Sequence, residues 1–250
     1  MSGHSKWSTI KRKKGAADAR RGKLFARLIK GIEAAAKEGG ADPDSNPTLA
    51  TAIQKAKDAS VPKDNIERAL KRAAGKEGGG VAYETVFYEG YAPGGVALYV
   101  ECLTDNRNRA ANEVRGAFKK HGGSLAEPNA VNYLFSRTGV LTVEADEADE
   151  DAILLAGLEA GIEDVRLDGD TYTITTQPAD VQAVRAALEA AGVRVSSSET
   201  TMLPSVNVPV EEEHTAKQVL RLVEALEDCD DVQAVYSNFD IPDRILEAVA

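Results

Sequence analysis

Ten of the chain's 30 lysines and arginines fall within the first 30 residues: Lys6, Lys11, Arg12, Lys13, Lys14, Arg20, Arg21, Lys23, Arg27 and Lys30, against one acid, Asp18. Cations this dense can neutralise phosphates and release condensed counterions, the main source of sequence-independent affinity for nucleic acid. The only tryptophan, Trp7, sits among them. It can stack on an unpaired base, wedge between base steps, or pack on the helix that follows. A second basic cluster, Asn106-Arg107-Asn108-Arg109 with Arg115 beyond, opens a predicted helix. There Arg107 and Arg109 are candidates for a secondary phosphate contact. The competing reading is an Asn N-cap and an internal ion pair, for example Arg109 with Glu113 at i,i+4.

Nothing else in the chain converges on chemistry. His4, His121 and His214 are far apart and lie in no ligand or nucleophile motif. The acids around Asp146–Asp151 and Glu211–Glu213 each precede a predicted helix, where they complement the positive end of its dipole. Gly90–Gly95 lacks the strand-to-helix setting and the Lys-Ser/Thr of a phosphate loop and reads as a hairpin turn. We therefore expect no catalytic residues, no metal site and no cofactor, and a protein that is not an enzyme.

Charge is partitioned along the chain. Residues 1–76 carry net +10 and residues 77–250 net -20, giving -10 overall. One part is built to meet a polyanion and the other is repelled by it. Cys102 and Cys229 are 127 positions apart, outside any CxxC or Cys/His cluster, so neither a disulfide framework nor a zinc finger is readable. With no run of eighteen apolar residues and no apolar segment behind the basic N-terminus, the chain is expected in the cytoplasm, with no membrane partner and no small-molecule substrate.

The elements that must position these residues follow from periodicity. Residues 1–15 show no apolar period and read as an extended arm. From Ala16 to Glu38, Leu24, Phe25, Leu28, Ile29, Ile32, Ala35 and Ala36 form one helical stripe opposite Arg20, Lys23, Arg27, Lys30 and Lys37, and Gly39-Gly40 supplies the stop. Asn46-Pro47 caps a second helix to Ala59, and Val61-Pro62 separates it from a third that ends at Gly75. GKEGGG at 75–80 is a flexible tether. The period then becomes two. Residues 138–204 read β-α-β-β-α-β, the ferredoxin-like order. The flanking pieces, strand 96–103, helix, strand 131–136, strand 206–210, helix and strand 232–236, repeat that order. The expected fold is α+β: an N-terminal three-helix domain (1–76), then two ferredoxin-like α/β domains, one (138–204) inserted into the other (77–137 plus 205–250).

The stretches GHSKWSTIKRKKGAADARRGKLF (3–25), GGADPDSNPTLATAIQKAKDASVPKDNIERALKRAAG (39–75), GYAPGGVAL (90–98), TDNRNRAANEVRGAFKKHGGSL (104–125) and TMLPSVNVPV (201–210) resemble the YebC/PmpR family, which includes mitochondrial translational activators. Several long motifs occur in order over nearly the whole chain. The resemblance implies a helical N-terminal domain plus two α/β domains, and a role as a DNA-binding transcriptional regulator. Other members resemble ribosome-associated translation factors, which would make ribosomal or transfer RNA, and the ribosome, the partner. Ala92 stands where the family pattern has glycine, which puts in doubt any close backbone approach by that loop.

Overall fold

A computed structural model of the chain describes residues 18–75 and 83–249. The helical region contains α1 (Asp18–Gly39), α2 (Pro47–Asp58) and α3 (Lys63–Ala74). The amphipathic stripe of α1 is buried from Ile32 through Ala36, whereas Leu24, within the first two turns, stays 43% exposed. Asn46 does more than the expected capping. Its Oδ1 accepts from the Leu49 N–H at 3.1 Å, while its amide donates to the carbonyls of Ala35 and Gly40, both at 2.9 Å. One side chain thus starts α2 and satisfies carbonyls at the end of α1. A Cβ at Gly39 would lie 2.6 Å from the Asn46 amide, so only glycine admits this join. Leu49, Ile53, Ala56, Ile66 and Ala69 bury the facing sides of α2 and α3.

The rest is α+β: β1 (Glu84–Tyr91), β2 (Ala97–Thr104), α4 (Arg107–Lys120), β3 (Ser124–Leu125), β4 (Phe135–Glu144), α5 (Glu150–Gly157), β5 (Ile162–Asp168), β6 (Thr171–Thr176), α6 (Val181–Ala190), β7 (Ser197–Pro204), β8 (Val208–Pro209), α7 (Glu213–Glu227), β9 (Val232–Ser237), β10 (Phe239–Asp240) and α8 (Asp243–Val249). The described residues divide into two compact units. One comprises 18–27, 83–136 and 203–249, the other 28–75 and 137–202, so one interrupts the other in sequence.

In the first unit the sheet order is β3-β1-β2-β9, with β1–β3, β1–β2 and β2–β9 all antiparallel. Val114 and Phe118 of α4, and Val219, Leu222, Val223 and Leu226 of α7, share a core with Leu98, Val100, Cys102 and Val235 of the sheet. Alternate residues leave the other face to Phe87, Tyr99 and Phe135, stacked in series with ring centroids 4.8 and 5.9 Å apart. Gly90 is a point of close packing: a Cβ there would meet the Phe118 ring at 2.6 Å. The 90–95 segment is the expected hairpin turn, closed by Ala92 N–H to the Val96 carbonyl at 2.8 Å. Ala92 itself has φ -86° and buries its methyl, so the glycine of the family pattern is not required there.

In the second unit the sheet order is β5-β6-β4-β7. The chain order β-α-β-β-α-β with the first strand between the third and the fourth is the ferredoxin-like arrangement read from the sequence. Leu141, Val143, Ile153, Ile174, Val184 and Leu188 form its core.

Two strands expected to flank this insert are different. Residues 131–136 do not form their own strand: Asn132–Leu134 is a 3-10 turn, and Phe135 begins β4, which runs on into the sheet of the insert. The cause is Glu89, 7% exposed, whose carboxylate accepts from the backbone N–H groups of Asn129, Val131 and Asn132 at 2.8, 2.6 and 2.9 Å. Donors held by a carboxylate are not available to a ladder. Residues 206–210 shrink to the two-residue β8, parallel to β10. Pro209 has no N–H, and the Val206 carbonyl is taken by the Asn238 amide at 3.1 Å. The flanking pieces therefore do not repeat the β-α-β-β-α-β order: their four-stranded sheet takes in β1 of the β1–β2 hairpin, and its chain order is β-β-α-β-α-β. Among the described residues no helix is long and apolar enough to cross a membrane.

Candidate nucleic-acid interface

Six of the cationic and aromatic candidates, Lys6, Trp7, Lys11, Arg12, Lys13 and Lys14, lie outside the described residues, and of Arg20 only the backbone is described. The others are placed by α1. Arg21 lies over the Phe25 ring, 5.3 Å from its centroid. Lys23 reaches the far end of α7, where its Nζ donates to the Asp228 carbonyl and to Asp228 Oδ1, each at 3.4 Å. One turn on, Arg27 Nη2 donates to the Glu227 carbonyl. Lys30 also has a partner. The end of α7 suits these cations, because its last carbonyls have no intrahelical donors and the helix dipole is negative there. The surroundings are acidic too. Burial pushes the thiol of neighbouring Cys229 up to about 11, with Glu113, Asp228 and Asp230 adding to the shift and Arg27 opposing it.

The second cluster is organised differently. Asn106 caps α4 as expected, its Oδ1 accepting the Arg109 N–H at 3.1 Å. Arg109 does not pair with Glu113: its guanidinium bonds Asp231 at 2.7 Å and Asp105 at 2.6 Å. The Asp231 side chain, 3% exposed, also accepts from the Thr104 hydroxyl at 2.9 Å. These bonds, Asp231 first and Asp105 next, raise the Arg109 pKa, and the bond to Arg109 holds the Asp105 carboxyl below its usual range. Arg107 lies 3.6 Å from Glu84. Arg109 thus ties the start of α4 to β9, the ion-pair alternative with different partners, and a phosphate would have to displace a buried carboxylate to use it.

A family model described as the TACO1/YebC protein N-terminal domain matches residues 5–76, and one described as the TACO1/YebC second and third domain matches residues 83–239. The chain belongs to the TACO1/YebC family. The gap between the two matches contains most of the glycine-rich tether. Similar TACO1/YebC relatives include proteins of Acidothermus cellulolyticus, 58% identical over 249 residues with all of both chains covered, and Thermobifida fusca, 59% identical over 250 residues with the same coverage. A Mycobacterium tuberculosis relative is 57% identical over 249 residues, covering 100% of this chain and 99% of its own. All three bear the name probable transcriptional regulatory protein. The crystal structure of a conserved hypothetical protein from Aquifex aeolicus matches with TM-score 0.81 and 47% identity, covering 90% of this chain and 93% of that one.

Several residues that shape this TACO1/YebC protein carry no sequence signal. Glu227 and Asp228 look like two more acids in an acidic helix end, and Asp231 like a turn residue. Arg185 on α6 is only 12% exposed and pairs at 2.9 Å with Asp58 of α2, which is 13% exposed; Ser198 Oγ adds a bond at 2.7 Å. Lys55 and Glu199, 2.6 Å apart, stand alongside. Burial works against the Arg185 charge, but Asp58 and then Glu189 outweigh it, so its pKa is raised. The helical region is thereby fastened to the insert within one unit.

Proposed function

We propose that this TACO1/YebC protein is a nucleic-acid-binding regulator of gene expression, acting in transcription through DNA, in which the cations between Lys6 and Lys30 contact the phosphate backbone. The observation that carries this is the partition of charge: net +10 over residues 1–76 and -20 over residues 77–250. Only the first part attracts a polyanion, and affinity of this kind depends on how many phosphates are neutralised. The names of the bacterial relatives support a regulatory role. We assign the work to three domains, residues 1–76 binding, 77–137 with 205–250 and 138–204 forming an acidic body that the polyanion repels. The protein acts in the cytoplasm as a binding protein without cofactor or catalytic step. Arg107 and Arg109 take structural parts in this reading.

Trp7 among the cations favours a second target, unpaired or distorted RNA as in a ribosome-bound translation factor, because an aromatic ring rewards exposed bases. Its fluorescence is a single-site reporter. If Trp7 contacts a base, emission of the free protein is red and water-like, nucleic acid quenches or shifts it, and Trp7→Ala costs ~1–3 kcal/mol of affinity. Blue emission that ignores nucleic acid, with a lower melting temperature in Trp7→Ala, would remove it from the interface. Sequencing of nucleic acid cross-linked to the full chain, with gradient sedimentation of lysate, then decides the target: promoter DNA and free protein on one side, rRNA or tRNA and ribosomal fractions on the other.

A further inference from the structure

Arg20, Lys23, Arg27 and Lys30 recur at spacings of three and four, which aligns them along one side of α1. A phosphate backbone tracking that line needs Lys23 and Arg27, and both are occupied by the end of α7. We propose that this helix end, with Asp228, is an internal stand-in for phosphate: it holds Lys23 and Arg27 in the free protein and is displaced by the nucleic-acid backbone on binding. The inference rests on the nucleic-acid reading of the N-terminal cations and adds to it an autoinhibitory contact.

The chemistry of the contact is that of a phosphate site. Two peptide carbonyls and one carboxylate present negative charge at the dipole's negative end to two adjacent cations. Its strength is suited to exchange. The Lys23 and Asp228 side chains are 51% and 66% exposed and their closest atoms 3.4 Å apart, so water screens the pair and salt weakens it. Arg109 provides the contrast within the same unit: its partner Asp231 is 3% exposed at 2.7 Å, a pair that cannot open without stranding a buried charge. The molecule therefore holds one arginine permanently and two cations of α1 reversibly. A duplex or RNA strand offers a row of phosphates where α7 offers a single end, and entry of several contacts together shifts the exchange toward the open form.

The test uses the full chain and three variants, Asp228→Asn, Lys23→Gln and the double substitution, each first checked for an unchanged melting temperature. With a 20-base-pair DNA duplex and a structured RNA hairpin as probes at low salt, Asp228→Asn should tighten binding about two- to five-fold, the range for release of an exposed pair. In the Lys23→Gln background the same substitution should give no gain. Without nucleic acid, amide hydrogen exchange over residues 18–27 should be faster in Asp228→Asn than in the parent. A gain of equal size in both backgrounds would reduce the effect to net charge and overturn the proposal, as would unchanged exchange over 18–27. Absence of binding by the parent chain on both probes would instead overturn the nucleic-acid reading itself, and this inference with it.

Discussion

Replacing Lys11, Arg12, Lys13 and Lys14 together by glutamate should abolish nucleic-acid binding by the full-length protein, weakening it by at least about 1,000-fold at ~50 mM salt. Four phosphate contacts are lost, and four repulsive charges are placed against the same backbone. The four residues sit in a stretch with no apolar period, so circular dichroism and the melting temperature should stay nearly unchanged. Fluorescence anisotropy with duplex DNA and with hairpin RNA provides the measurement. A variant that binds as well as the parent would move the interface elsewhere; one that unfolds would make these cations part of a structural ion network.

The second large effect is on stability. Asp58→Leu should cost about 3 kcal/mol, because it leaves the Arg185 guanidinium, only 12% exposed among α2, α6 and β7, with the half-exposed Glu189 as its remaining counter-charge. Arg185→Leu should cost a similar amount, because the Asp58 carboxylate, 13% exposed, then keeps only neutral donors, the Gln54 amide at 2.8 Å and the Ser198 N–H at 3.4 Å. The double variant Asp58→Leu with Arg185→Leu should recover much of the loss, since no buried charge remains unpaired. Urea unfolding of the four proteins completes the cycle. Strictly additive losses would show that the pair does not hold the helical region to the insert.

What could be read in advance divides by the range of the interaction. Asn46-Pro47 named the start of α2, and the β-α-β-β-α-β order of the insert appears in its sheet, because caps, alternation and turns are local in the chain. The failures involve partners far apart in sequence. Residues 131–136 had the composition of a strand, yet a carboxylate some forty positions earlier claims their N–H groups. Leu24 had the right phase for a core position, but the part of α1 that carries it leaves it 43% exposed. At the candidate interface, the type and density of the cations pointed to phosphate, and their sidedness on α1 was legible from spacing. That Lys23 and Arg27 engage α7 was not, since a contact across 205 residues leaves no periodic trace. Arg109 forms ion pairs, one of them with Asp105 at i,i+4, but its buried partner Asp231 is 122 positions away and nothing local marks it.

The central claim, that this protein holds nucleic acid through phosphate contacts of its N-terminal cations, is tested most directly by the salt dependence of affinity. Dissociation constants of the full-length protein for a 20-base-pair duplex should be measured between about 50 and 200 mM salt. With ~5 phosphates neutralised, log affinity should fall against log salt with a slope of about -4 to -5. A slope near zero, or one unchanged by the Lys11, Arg12, Lys13 and Lys14 reversal, would contradict it.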